Sequence, residues 1–278
     1  MSELPDDRDN YCYRHPNRQS YILCQRCGRT VCPACSTQAS VGVHCPECVK
    51  EARAKVPQRR PVGTRTVRAF RSGSSTPVVT YSIIAICVLV FALQLVTRDA
   101  ITGWLALYPP YIDLLPWTVL TSEFAHGSPI HLLVNMISLF LLGPSLELAF
   151  GRARYIALFL LSGLGGSVAV IFLLGDQASA LGASGAIFGL LAALVVAIRR
   201  IGGNTTQLLI LVVVNLSIGF LIPGIAWQAH VGGLIVGGVI AAIYTRTQGP
   251  RNRRRQLLLM AGLTTALVVA TVVGWAIL

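Results

Sequence analysis

Seven apolar runs occupy the chain after Pro77, at approximately 77–97, 130–150, 154–174, 180–198, 207–222, 226–245 and 256–277. Most are close to the roughly twenty residues that carry an α-helix across the hydrocarbon core of a bilayer, so the pattern predicts an all-α polytopic membrane protein with seven spans. The run at 207–222 is short and stops at Pro223-Gly224, which predicts a tilted helix or a locally thinned bilayer. Before Pro77 no such run occurs, and charged, polar and cysteine residues are mixed. The pattern therefore divides the chain into four parts. These are a head at 1–50, a flexible basic linker at 51–76, a six-helix core at 77–246, and a basic loop with the seventh helix at 247–278.

Composition agrees with this division. With 54% hydrophobic and 12% charged residues the chain lacks the polar surface that a soluble fold of this length needs. No secretory signal peptide stands before the first run, so the head is expected in the cytoplasm. Odd helices then run outward and even helices inward. Arg152, Arg154, Arg199, Arg200, Arg251, Arg253, Arg254 and Arg255 fall in inner loops, while the outer segments carry Asp99, Asp113, Glu123 and Asp176 beside Arg98. This is the positive-inside distribution, and it agrees with a multi-pass cell membrane protein whose head stays inside. The net charge of +12 is concentrated next to the spans, which points to topology and anionic lipid and not to nucleic acid. The outer segment from Arg98 to Ser128 contains Trp104, Tyr108, Tyr111 and Trp117, aromatic types that favour the headgroup interface, so part of it is expected to lie in the membrane.

The head carries seven of the eight cysteines, arranged as Cys12-x-x-His15, Cys24-x-x-Cys27, Cys32-x-x-Cys35 and Cys45-x-x-Cys48. Each pair has the spacing that lets two side chains grip one tetrahedral ion, and a reducing compartment favours metal over disulfides. Eight ligands imply two zinc ions. Their closed four-ligand shells leave no open position for catalysis, so the role is structural, and metal binding supplies folding free energy that so short a segment lacks. The arrangement resembles a B-box-type zinc finger. That resemblance implies one site from Cys12, His15, Cys32 and Cys35 and a second from Cys24, Cys27, Cys45 and Cys48. Spacing alone leaves sequential pairing open, and His44 is a spare imidazole beside Cys45.

In the spans, polar side chains are costly and tend to be paired or functional. His131 and Asn135 lie near the start of the second helix, Ser184 near the start of the fourth, and His230 near the start of the sixth. All three helices begin on the outer side, so four polar groups share one depth. A serine that hydrolyses an amide needs a base for its proton, and His230 is suited to that task. The oxyanion that forms needs preorganised donors. His131 and Asn135, at i and i+4, share one helix face, and the small residues of Gly182-Ala183-Ser184-Gly185 admit close backbone approach, adding the Ser184 N–H. Gly182 belongs with this positioning group. The motif is not the G-x-S-x-G elbow, since residue 186 is Ala, and no carboxylate is placed to orient His230, so a dyad is the natural reading. Gly233 and Gly237 would let the sixth helix pack closely on Gly185 and Gly189.

From about Pro116 to Ile240 the chain resembles a bacterial rhomboid intramembrane serine protease, carried by HGSPIHLLVNM from His126, GPSLELAFG from Gly143, GASGAIFGL from Gly182 and AHVGGLIVG from Ala229, which implies the bacterial plasma membrane as its place. The resemblance implies a six-helix core that cleaves transmembrane segments of other proteins near their outer end. It assigns Ser184 as nucleophile and His230 as general base, with oxyanion contacts from His131, Asn135 and the Ser184 backbone and a structural role for Glu147. The seventh helix fits members with an extra C-terminal span. The family's frequent Trp-Arg dipeptide is missing from the first outer loop, where Trp104 and Trp117 precede Leu and Thr, which leaves the anchorage of that loop open. Three rivals are weaker. A silent rhomboid-like client-binding protein typically lacks the serine or histidine, a transporter would show a repeated half, and a zinc metalloprotease would show H-E-x-x-H.

Overall fold

The computed structural model describes residues 8–39, 42–55, 76–176 and 179–277. The described residues fall into two compact units, the first holding those from 8 to 55 and the second those from 76 to 277. In the first, β1 (Tyr11–Cys12) pairs antiparallel with β2 (His15–Gln19), and β3 (Thr37–Gln38) with β4 (Val43–His44). A bridge between Leu23 and Thr30 closes the knuckle that carries Cys24 and Cys27. Strands this short bury almost no surface, and the interior is instead made of Cys12, Cys24, Cys32, Cys35, Cys45 and Cys48 around Val31, with Tyr13 and Val43 against them. Helix α1 (Pro46–Lys55) starts with proline at its first position and continues through Glu51, Ala52 and Ala54, all compatible with helix. The segment expected as a linker therefore begins as helix, because good helix formers extend α1 past Lys50. The rest of that segment, 56–75, lies outside the described residues.

The named α-helices of the second unit, among the described residues, are α2 (Val78–Val96), the one-turn α3 (Thr102–Leu105) and α4 (Thr118–Thr121), α5 (Pro129–Phe150), α6 (Arg152–Leu174), α7 (Ser184–Arg200), α8 (Thr206–Leu221), α9 (Trp227–Arg246) and α10 (Arg253–Ala276). Five of them, α2, α5, α6, α9 and α10, are long and apolar enough to cross a membrane, and α8 is a shorter apolar helix. The run at 180–198 differs from expectation at its start. Residues 180–183 are not helical: Ala180 bridges to Leu107, and Gly182 has φ +119°, which ends any helical path there. Hydropathy does not distinguish a buried apolar loop from the first turn of a helix, and so α7 begins at Ser184 itself.

Helices α6, α7 and α9 form the densest part of the core, with Leu158, Phe159, Leu190 and Ile240 fully buried among them. Their contact is backbone to backbone. A side chain on Gly233 would collide with the backbone of Gly185, one on Gly237 with that of Gly189, and one on Gly232 with that of Gly165. In a lipid environment small residues supply helix association through such close approach. Gly237→Leu is accordingly expected to lower the thermal unfolding midpoint in detergent, since overpacking costs about 1–3 kcal/mol even against movable side chains. Here the obstacle is main chain. An unchanged midpoint would contradict the close-approach argument.

Glu147 fastens α5 to the start of α2. Its carboxylate is 3% exposed and accepts from Val79 N at 3.0 Å, Thr80 N at 2.8 Å and Thr80 Oγ1 at 2.8 Å. The two amides are backbone donors that the first turn of a helix leaves free, and a negative charge there also meets the positive helix end.

Candidate active site

Ser184 is the first residue of α7, so its N–H is among the donors that a helix start leaves without an intrahelical partner. Its Oγ lies 2.9 Å from Nε2 of His230, near the start of α9. Two features hold the imidazole. The Phe188 ring, one turn after Ser184, stacks on it at a centroid distance of 4.4 Å and an interplanar angle of 10°. On α8, a Cβ at Gly219 would stand 3.2 Å from His230 Nδ1, so the absence of a side chain there leaves room for the ring. Nδ1 is buried and has no hydrogen-bond partner among the described residues.

Opposite the serine, α5 begins with Ser128 as N-cap, its Oγ accepting from His131 N at 3.1 Å. The cap fixes the turn that carries His131. The His131 ring lies against Gly182, where a Cβ would come within 2.7 Å of Nε2, and the left-handed backbone of Gly182 makes glycine doubly required. Gly182 N in turn donates to Ser122 O at 2.8 Å. Asn135 is 5% exposed, and its Nδ2 donates to His131 O at 2.8 Å, the i−4 carbonyl of its own helix. The five residues singled out on the membrane side thus fall into a Ser184–His230 pair, a His131–Gly182 pair, and Asn135 turned back on α5.

Sequence reasoning did not find what lies behind them. Gln94, 1% exposed near the end of α2, clamps the backbone of His126: its Nε2 donates to His126 O at 3.2 Å and its Oε1 accepts from His126 N at 3.1 Å. The His126 ring packs edge-on against His131 at 5.2 Å, and burial, with His131 as a second cause, pushes its pKa down to about 4. It is a neutral wall at pH 7. A glutamine inside an apolar run is itself a signal, because such a group must find a partner. The segment between α2 and α5 is anchored by other contacts: Trp117 Nε1 donates to Trp104 O at 2.8 Å, the two indoles stack, and Ser167 Oγ on α6 donates to Val119 O at 2.8 Å.

In the head, the potential ligands gather in two groups, Cys12, His15, Cys32 and Cys35, and Cys24, Cys27, Cys45 and Cys48, with ligand atoms within 4.8 Å of one another. His15 Nδ1 stands 3.7, 3.5 and 3.4 Å from the sulfurs of Cys12, Cys32 and Cys35, and Cys27 Sγ is 3.6 Å from Cys45 Sγ. Tetrahedral zinc would set such separations at about 3.6 Å for nitrogen to sulfur and about 3.8 Å for sulfur to sulfur, so the donor set fits a metal ion. His44 stands outside both groups.

Residues 115–247 match the family model described as Rhomboid domain. Among similar curated proteins, RHOMBOID-like protein 5 of Arabidopsis thaliana is 41% identical over 133 residues, covering 44% of this chain and 41% of that protein. Rhomboid protease GluP of Bacillus subtilis is 37% identical over 134 residues, 45% of this chain and 25% of GluP. RHOMBOID-like protein 2 of Arabidopsis thaliana is 34% identical over 183 residues, 55% of this chain and 57% of that relative. The chain thus spans less than two thirds of the length of these relatives. The helical membrane unit, with its glycine-packed α6, α7 and α9, thus carries a rhomboid domain over residues 115–247, similar to those of these relatives.

Proposed function

We propose that this protein is an intramembrane serine endopeptidase that cleaves transmembrane segments of other membrane proteins with a Ser184–His230 dyad. The observation that carries the reading is the 2.9 Å approach of His230 Nε2 to Ser184 Oγ at the free N-terminus of α7. With the imidazole proton on Nδ1, the Ser184 hydroxyl donates to Nε2, and the histidine takes that proton as Oγ attacks the scissile carbonyl carbon. The carbonyl oxygen becomes an oxyanion, met by the Ser184 N–H and by His131, with Asn135 as a further donor once its amide turns from the His131 carbonyl. Collapse breaks the C–N bond, and the imidazolium gives its proton to the leaving amine. Water, deprotonated by the same histidine, then releases the acyl group from Oγ. The relative named a rhomboid protease supports this chemistry.

The head, in this reading, is a B-box-type domain holding two structural zinc ions in the groups named above, and it takes a protein ligand. The protein sits in the plasma membrane with the head in the cytoplasm and the dyad open to the outer side. No metal takes part in the hydrolysis proposed.

Fluorophosphonates modify a serine only when a base activates it. Purified protein in detergent is expected to form one adduct, mapped by peptide mass spectrometry to Ser184. A folded protein that forms none, or forms it elsewhere, would overturn the reading.

A further inference from the structure

Glu123 lies in the 3₁₀ turn Ser122–Phe124 of the outer loop and is 2% exposed. Neither carboxyl oxygen has a hydrogen-bond partner among the described residues. The carboxyl group fills a notch on α6 that exists only because residue 163 is glycine: a Cβ there would overlap the Glu123 carboxyl carbon and both oxygens. One turn further along the same helix face, Ser167 Oγ holds Val119 O at 2.8 Å, so α6 grips the loop at two successive points. The residue before Glu123 supplies the carbonyl that accepts from Gly182 N at 2.8 Å, and Gly182 lies against the His131 ring.

We propose that Glu123 is a positioning residue for the oxyanion loop, its side chain seating the 122–124 turn in the Gly163 notch and thereby fixing the Ser122 carbonyl that holds Gly182 beside His131. The role in catalysis rests on the protease reading above; the seat itself does not. A carboxylate without donors is costly in such surroundings, so the seated form is the neutral acid, and burial accordingly raises the Glu123 pKa well above the usual carboxylate range. Among the described residues no charge nearby offsets this. On α2 the facing titratable group is Cys87, α4 offers none, the arginines of α7 are at its far end, and Tyr155 of α6 is turned to Thr80. His126, three residues on, faces His131. Ionising Glu123 would drive the turn out of its notch.

The sign follows from linkage. A folded-state pKa raised above the unfolded value of about 4.3 gives stability that is fully present below about pH 4.3 and is lost as pH rises toward the folded value. Equilibrium unfolding of the full chain in mixed micelles is expected to show this as a difference between wild type and Glu123→Gln. The wild-type unfolding constant, relative to that of the variant, should rise about tenfold per pH unit above about pH 4.3 until the folded pKa is reached. Parallel pH profiles would overturn the proposal. The link to the site is tested by filling the notch. Gly163→Ala should slow fluorophosphonate labelling of Ser184 by about tenfold or more, and Glu123→Ala added to it should recover most of that loss by vacating the space. A double variant no faster than Gly163→Ala would remove the seat from the oxyanion loop. Should wild type itself take no label, the protease reading fails, while the unfolding profiles still decide whether Glu123 is seated as a neutral acid.

Discussion

In Ser184→Ala, cleavage of a membrane-spanning reporter is expected to fall by about 10⁴-fold or more, to the level of the reporter alone, with the thermal unfolding midpoint in detergent close to that of wild type. On the proposed reading the oxygen removed is the attacking atom, while alanine suits the first turn of α7 and, among the described residues, Ser184 Oγ makes one hydrogen bond, to His230 Nε2. His230→Ala should lose a comparable factor, because without Nε2 the hydroxyl proton has no acceptor, and the double variant should be little worse than either single one. Residues that act as a unit behave this way. Losses that multiply in the double variant would mean that the two side chains act independently, and the 2.9 Å contact would then be packing and not chemistry. His230→Ala also removes the ring stacked on Phe188, so its stability must be measured beside its activity.

The sequence exposes what the bilayer makes expensive. Ser184, His230, His131 and Asn135 stand out because polar groups within apolar runs need a reason, and the structure places them in the N-terminal parts of α5, α7 and α9. The glycines at 185, 189, 233 and 237 stand out by their spacing of four, and they meet as two backbone contacts. Beyond that the pattern is silent on which loops fold inward. Glu123 reads as one of several acids on the outer side, yet Asp99, Asp113 and Asp176 are exposed while Glu123 is buried in a notch made by a glycine forty positions away. Periodicity reports the face of an element; it carries no information about contacts between distant parts of the chain. The same limit explains residues 180–183, whose apolar side chains look like a helical turn and instead form the bridge to Leu107 that delivers Gly182 and Ser184. Gln94 was within reach of the rule that found His230, but a glutamine near a helix end suggests the interface before it suggests a clamp on His126.

Stripping metal from the full-length protein is expected to unfold the head outright. Its interior consists of six cysteines, Val31 and the flanking Tyr13 and Val43, and its longest strand, β2, has 5 residues, so little apolar surface is available to offset the entropy of ordering the chain. Structural zinc in small domains supplies about 10–16 kcal/mol of apparent binding free energy at pH 7, which exceeds the stability such a core can provide. The two ligand groups also interleave along the chain: Cys24 and Cys27 of one lie between His15 and Cys32 of the other, and Cys32 and Cys35 between Cys27 and Cys45. Neither site can form while the loop that carries half of the other is unfolded, so the two ions should bind and leave together. Elemental analysis should find two zinc ions per wild-type chain. Cys32→Ser, although it touches only the first group, should leave fewer than one, and limited proteolysis should then cut within the head at sites protected in wild type. Retention of one ion by Cys32→Ser would show that the second site folds alone, and wild type without metal but still resistant to proteolysis would show that the cysteine core needs no ion.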